Sequence, residues 1–458
     1  MKTLANVFEY IIEEVNDLKK NGVSFVWQNI DLSELLISDL ISAERSMQQI
    51  NRLKLSTVLK MKLSTVKKRF SYNSKSTPLN GTILVFVNEL NQWENIEPVV
   101  NILITKGIKI DVISTKGNIL NTLNTDISSV KYIKGYHFPV GQLLRNTRNH
   151  KMVTLINNNI PKISYLFSEF NKILSNSNYK YVMIGNDITS DGKLLSILSN
   201  RKNIRSGSIQ HGSMNRVNPI NGYSRVNDFF VFGKTSAREL VYLGISKDNV
   251  AVSGWPMQQQ FKNNLTKAKS AKSVVRGADI LVCLSGPGHS VSETLHNTII
   301  ELIARLQREL DLDVIVKLHP KDKKEYYSTL LENKTTIYDN TSLLEMSSSL
   351  LELFTKVNCT ITVASTAALE SLLAETPVVT IDIDKSFNDV DYIQDGLTFH
   401  STNYTELKQQ FEKISNGNKS DLWYEMKNKI EDYYHKYFDE NYNPSGYIAN
   451  KILEVCAE

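Results

Sequence analysis

The stretch Val314-Ile315-Val316-Lys317-Leu318-His319-Pro320 is an apolar run that ends abruptly in a polar pair. Thr362-Val363-Ala364-Ser365-Thr366-Ala367-Ala368-Leu369-Glu370 repeats that pattern and then continues as a helix. Short apolar runs bounded in this way read as strands buried on both faces. Others occur at 82–87, 108–113, 179–184, 205–209, 228–232 and 249–252, then again at 279–284 and 377–383. Helix-length or loop-length sequence separates them, which predicts parallel sheets joined by right-handed crossovers. A chain of 458 residues exceeds one ordinary core. The expected fold is therefore α/β: two doubly wound, Rossmann-like domains facing a cleft, with an N-terminal helical accessory region.

The accessory region is placed at 1–78. Leu4, Val7, Phe8, Ile11, Ile12, Val15 and Leu18 fall on one helical face. A second helical stretch begins near Asp31 and is expected to run beyond Ile50. Residues 46–80 hold eight Lys/Arg and no Asp or Glu. They suit an anionic membrane surface, where each lysine contributes about 1 kcal/mol. The alternative is a solvated helical face packed on the core through Leu53, Leu59, Leu63 and Val66. The segment 71–80, rich in Ser and Asn, is the expected linker. A first Rossmann-like domain is then expected at 79–260 and a second at 261–458. The latter closes with two or three helices from about Tyr404 to Cys456.

Composition sets some chemistries aside. Cys283, Cys359 and Cys456 are widely spaced, which argues against zinc and disulfides and fits a reducing cytoplasm. No metal site is expected, and no cofactor beyond the activated substrate. Glu9, Glu13, Glu14 and Asp17 do not suit a signal peptide, and no apolar run reaches 18 residues. A net charge of +5 is modest. The basic run lacks interleaved aromatics, so a nucleic-acid partner is not expected. P-loop, G-x-G-x-x-G and G-x-S-x-G patterns are absent.

Ligands in such sheets bind outside the carboxyl ends of the strands. In the second half, Ser285-Gly286-Pro287-Gly288-His289 follows one strand, and Gly286 and Gly288 would let backbone N–H groups approach a phosphate. His319 and Pro320 follow the next; the histidine suits a charge-assisted bond to phosphate. Ser365 and Thr366 open a helix, offering hydroxyls and free N–H groups to an anion, with Glu370 about one turn on and able to accept from ribose hydroxyls. In the first half, Asp187 and His211 end adjacent strands, and either suits a general base. Each has a plainer alternative: a tight turn at 285–289, a turn at His319-Pro320, a simple N-cap at Ser365 with a solvent-facing Glu370, a helix cap at Asp187, and a core histidine at 211. Glu89 and Glu94 are a weaker pair after the first strand, where acidic residues are commonly caps or solvated.

Taken in order, strand–Asn-Asp, strand–Gln-His-Gly, Ser-Gly-Trp-Pro, strand–Lys-Leu-His-Pro and strand–Ala-Ser-Thr…Glu resemble the bacterial GT-B glycosyltransferases of surface polysaccharide assembly. The likeness spans about residues 82–400. It is nearest to capsule Kdo transferases and bacterial (poly)sialyltransferases with His-Pro and Ser-Ser/Thr motifs, and teichoic-acid polyglycerolphosphate polymerases share similar elements. The resemblance implies a nucleotide-sugar donor, with CMP-linked Kdo or sialic acid-like sugars favoured. It also implies a glycan or glycolipid acceptor, transfer with inversion, and a cytoplasmic protein peripheral to the inner membrane face. It places His319, Ser365 and Thr366 on the donor phosphate, Glu370 on the ribose and His211 near the domain interface. The acidic motif of the sialyltransferases has no clear copy: Ser190-Asp191-Gly192 comes nearest, and Asp187 is preferred because it ends a strand. A CDP-alditol polyol-phosphate transferase, a UDP-sugar 2-epimerase and a non-catalytic GT-B-like scaffold are the alternatives.

Overall fold

The computed structural model describes residues 4–20, 26–41, 79–116, 119, 123, 127–133, 151–175, 178–212, 219–270, 277–284, 286, 291–319, 322–346, 349–385, 387, 390–417 and 419–457. Gly288, Pro320 and nearly all of the basic run 46–80 lie outside them.

Two parallel sheets organise the chain. The first contains β3 (Ile83–Phe86), β4 (Ile110–Ser114), β5 (Ser129–Tyr132), β6 (Tyr181–Ile184), β7 (Arg205–Ile209), β8 (Asp228–Val231) and β9 (Val250–Val252), ordered β5-β4-β3-β6-β7-β8-β9. The second contains β10 (Ala278–Val282), β11 (Val314–Lys317), β12 (Thr335–Tyr338), β13 (Val357–Thr362), β14 (Val378–Ile381) and β15 (Phe399–Ser401), ordered β12-β11-β10-β13-β14-β15. A two-stranded antiparallel ribbon, β1 (Val26–Trp27) with β2 (Ile30–Asp31), precedes them. The doubly wound α/β expectation therefore holds for both halves.

The helices used below are α1 (Leu4–Lys20), α2 (Leu32–Leu35), α3 (Leu90–Thr105), α4 (Lys151–Ser175), α5 (Ser190–Arg201), α6 (Lys234–Tyr242), α7 (Gln258–Ser270), α8 (Glu293–Leu310), α9 (Lys324–Ser328), α10 (Thr366–Leu373), α11 (Tyr404–Asn416), α12 (Lys419–Tyr433) and α13 (Pro444–Ala457). Helix α1 buries Ile11, Val15 and Leu18, the face its spacing predicts. These residues join Leu32, Leu35, Leu36 and Leu40 on one face of the first sheet, against Leu84, Phe86, Val182 and Ile184.

The opposite face of that sheet, with Ile83, Val85 and Met183, shares one apolar cluster with Leu369 and Leu372 of α10 and with Tyr433, Ile448 and Ile452 of the last two helices. The chain thus returns to its first half after completing its second sheet. Gly233 marks the approach: a Cβ there would overlap the Asp432 and Tyr433 carbonyl oxygens. Between the sheets, Trp255 packs against Phe232, Phe261 and Tyr434 and donates to Asn95 Oδ1 at 3.2 Å. The lysine-rich connection after it forms the helix α7.

Candidate active site at the strand ends

Strand register sets the site. In the first sheet Ile113 pairs with Phe86, Phe86 with Ile184, and Ile184 with Ser208. Counting three residues onward from each gives Lys116, Glu89, Asp187 and His211, which therefore leave the sheet as one row. In the second sheet Val282 pairs with both Val316 and Ile361. Gly286, His319 and Ser365 lie three or four residues beyond that row. Strand order reverses between β3 and β6 and between β10 and β13. Each reversal opens a crevice at the carboxyl ends, where ligands bind in sheets of this kind.

On the first side, Asp187 is fully buried, and neither carboxylate oxygen accepts a hydrogen bond from the described residues. It does not cap α5; Thr189 does, accepting from Gly192 N at 3.3 Å. Gly192 is required there, because a Cβ would overlap the Asn186 carbonyl oxygen. Asn186 also fixes the turn, accepting from Ile188 N at 3.2 Å and from Thr189 Oγ1 at 3.0 Å, and its side-chain nitrogen lies 3.4 Å from His211 Nε2.

His211 is held from behind by Gln210, whose Oε1 accepts from Phe232 N at 2.8 Å while its Nε2 donates to Gly212 O at 2.8 Å. Burial lowers His211 from the ordinary histidine value, against the opposing pull of Asp187 and Glu89. Its ring is therefore neutral at pH 7 and fit to accept a proton. Its Nδ1 has no partner among the described residues. Glu89 is half-exposed and engaged by Lys116 at 2.8 Å, which suits a positioning role better than a base.

Two residues change the picture drawn from sequence. Asp191 is tied to Lys162 at 2.7 Å and to the Thr115 hydroxyl at 3.2 Å, so Asp187 is the less engaged carboxylate. Lys193, which passes in the sequence for one more solvated helix residue, is fully buried. It donates to Glu34 O at 3.1 Å and lies over the Tyr223 ring. Burial pulls it down to about 8, with Asp187 and Asp39 opposing. Asp187 thus lies between His211 and Lys193, and the accessory segment that follows β2 covers the lysine. The only sequence hint was its place one residue after Asp191-Gly192.

On the second side, Ser365 is the N-cap of α10, accepting from Ala367 N at 3.2 Å, so the capping reading of its hydroxyl is met. Its backbone N–H and C=O both bond the Tyr392 hydroxyl, at 2.9 and 3.2 Å. Thr366 is exposed and Glu370 is not solvent-facing. Burial pushes the Glu370 carboxyl up to about 7, and the negative charge of Glu94 on α3 adds to the effect. Helices α3 and α10 share one apolar cluster through Trp93, Ile96, Ala368 and Leu369. His319 is partly buried, and its carbonyl accepts from Asp322 N at 2.8 Å. Ends of β11 and β13, flanking β10, are about 10 Å apart at ordinary strand spacing. Gly286 is buried between them. Two cavities of about 560 and 540 Å³ lie instead along α7 and the 437–445 region. They contain none of the strand-end residues.

No family model matches the chain, and no curated protein does. Solved structures match its fold. The Methanocaldococcus jannaschii UDP-GlcNAc 2-epimerase, in complex with UDP-GlcNAc and UDP, superposes with a TM-score of 0.53 at 14% identity, covering 81% of this chain and 99% of that one. The Neisseria meningitidis UDP-GlcNAc 2-epimerase bound to UDP-GlcNAc gives 0.52 at 14%, with 81% and 99% covered. A Rickettsia africae glycosyltransferase gives 0.52 at 18%, with 84% and 98% covered. The GT-B-like arrangement of the two sheets is thereby established. Among the described residues no helix is long and apolar enough to cross a membrane.

Proposed function

We propose that the chain is a glycosyltransferase that moves a sugar from a nucleotide-activated donor to a hydroxyl of a growing glycan or glycolipid. The observation that carries this reading is Asp187: a buried carboxylate with no hydrogen bond from the described residues, beside a neutral His211, facing a cleft whose other wall offers Ser365, Thr366 and Glu370. A buried carboxyl group left without hydrogen bonds is costly, and such groups cluster at functional sites.

In this mechanism the 261–458 part holds the donor. His319 and Thr366, the latter through its hydroxyl and backbone N–H at the start of α10, meet its phosphate. Glu370 accepts from the ribose hydroxyls, and the loop carrying Gly286 and Gly288 approaches between them. The 79–260 part receives the acceptor. The acceptor oxygen forms a bond to the anomeric carbon as the bond from that carbon to the phosphate oxygen breaks. The electron pair leaves with the nucleotide, and the hydroxyl proton passes to Asp187 or His211. Attack opposite the leaving group inverts the anomeric centre. The motifs shared with Kdo transferases and sialyltransferases favour a CMP-linked acid sugar. The basic run 46–80 suits a peripheral site on an anionic membrane, near lipid-linked acceptors.

The test is acceptor dependence. Purified protein is incubated with CMP-Kdo, CMP-sialic acid, CDP-glycerol or UDP-GlcNAc, with and without capsule-type oligosaccharide acceptors, and products are read by mass spectrometry and NMR. Nucleotide release coupled to a heavier acceptor is expected. Conversion of UDP-GlcNAc to its 2-epimer without an acceptor would overturn the transferase reading in favour of epimerisation. Transfer of glycerol phosphate would move it to the polyol-phosphate class, and inertness towards every donor would favour a scaffold.

A further inference from the structure

Behind His319 lies a second polar cluster that the proposed reaction does not use. His296 in the first turns of α8, Asp322 just past the His319 turn and Tyr327 in α9 bury their side chains completely. The Tyr327 hydroxyl donates to Asp322 Oδ2 and lies 3.3 Å from His296 Nε2, which in turn is 3.5 Å from the same carboxylate oxygen. Tyr326 closes the site, with its ring edge-on to His296 at 5.5 Å and its hydroxyl on Glu293 at 3.1 Å.

Where these residues sit in the chain gives the cluster its meaning. Helix α8 follows the glycine-bearing connection after β10, and α9 follows the His319 loop after β11. Asp322 N donates to His319 O, closing a turn whose other end is anchored by the Asp322 carboxylate. Leucine and phenylalanine would fill this volume without the cost of burying a carboxylate and an imidazole. What the polar cluster adds is direction, because a hydrogen-bonded carboxylate fixes the turn to one geometry where apolar packing would tolerate several.

We infer that His296, Asp322 and Tyr327 are positioning residues that tie His319 to the start of α8 and so fix where His319 stands. This rests on the donor-side assignment proposed above. The cluster touches no reacting atom. It acts through His319, and nucleotide binding registers its loss.

A double-mutant cycle tests this. CMP, CDP and UDP are titrated calorimetrically into the full-length parent, Tyr327→Phe, His319→Ala and the double variant, with melting temperatures recorded for each. Tyr327→Phe is expected to weaken the bound nucleotide about 5- to 20-fold in the parent and less than about twofold when His319 is already absent. Asp322→Asn serves as the second variant and follows the same pattern. Equal weakening in both backgrounds marks general destabilisation and overturns the inference. So does binding that requires His319 but ignores Tyr327 and Asp322, which leaves the nucleotide reading standing. A parent that binds none of the three nucleotides overturns the donor-site reading, and this inference with it.

Discussion

Asp187→Asn is expected to lower kcat for sugar transfer about 10²- to 10⁴-fold, the range over which a positioned base acts. Nucleotide affinity is expected to change by less than about threefold. The asparagine is isosteric and stays at the strand end beside His211, but it takes no proton from the acceptor hydroxyl. The carboxylate accepts no hydrogen bond from the described residues that the amide would lose. It does oppose the burial cost of Lys193, so a modest fall in melting temperature is expected beside the loss of turnover. The control is Asp191→Asn, in the same loop-and-helix segment but engaged by Lys162 and Thr115. Its expected cost falls on melting temperature, with kcat little changed. Initial rates and thermal melts on both variants separate the two carboxylates. If Asp191→Asn removes turnover while Asp187→Asn keeps it, the base has been assigned to the wrong residue.

Glu370→Gln is expected to stabilise the fold above neutral pH and to weaken nucleotide binding. The carboxyl is raised from 4.5 to about 7 in the folded chain by burial first and then by Glu94. Between those values the folded state keeps the proton and the unfolded chain has lost it, so stability falls as pH rises and the loss is complete above about 7. Glutamine removes this penalty. The variant's advantage, on the order of 3 kcal/mol at most, should be full above pH 7 and vanish below about pH 4.5.

Binding runs the other way. Ribose hydroxyls donate best to an ionised carboxylate, so nucleotide affinity should rise between pH 6 and 8 with release of a proton. Glu370→Gln should lose that rise and bind about 10-fold more weakly at pH 8. Urea unfolding from pH 4 to 9, with calorimetry in buffers of different ionisation enthalpy, reads both effects. An affinity that ignores pH and the substitution would remove Glu370 from the ribose.

What the sequence disclosed and what it withheld follow from the range of the interactions. Strands of the sheet centres were legible because runs such as 279–284 and 314–318 are largely apolar and stop abruptly at polar residues. The edge strands β5, β12 and β15 were not, since Ser129–Tyr132, Thr335–Tyr338 and Phe399–Ser401 mix polar and apolar residues over three or four positions. Strand ends named Asp187, His211, His319 and Ser365, and the register shows why they form rows. Lys193 escaped because burial by a distant segment, here the Glu34 carbonyl, leaves no trace in local spacing. The packing of α10 beside α3 and the return of α12 and α13 to the first sheet are likewise contacts between remote parts of the chain.

The claim on which the rest depends is that a nucleotide sits in this cleft against His319. A thermal-shift titration of CMP, CDP, UDP, GDP and TDP, on the parent and on His319→Ala, tests it most directly. One nucleotide, CMP for a donor that is a CMP-linked acid sugar, should raise the melting temperature of the parent and lose most of that effect in the variant. No shift with any of the five, or a shift of equal size in both proteins, would contradict it.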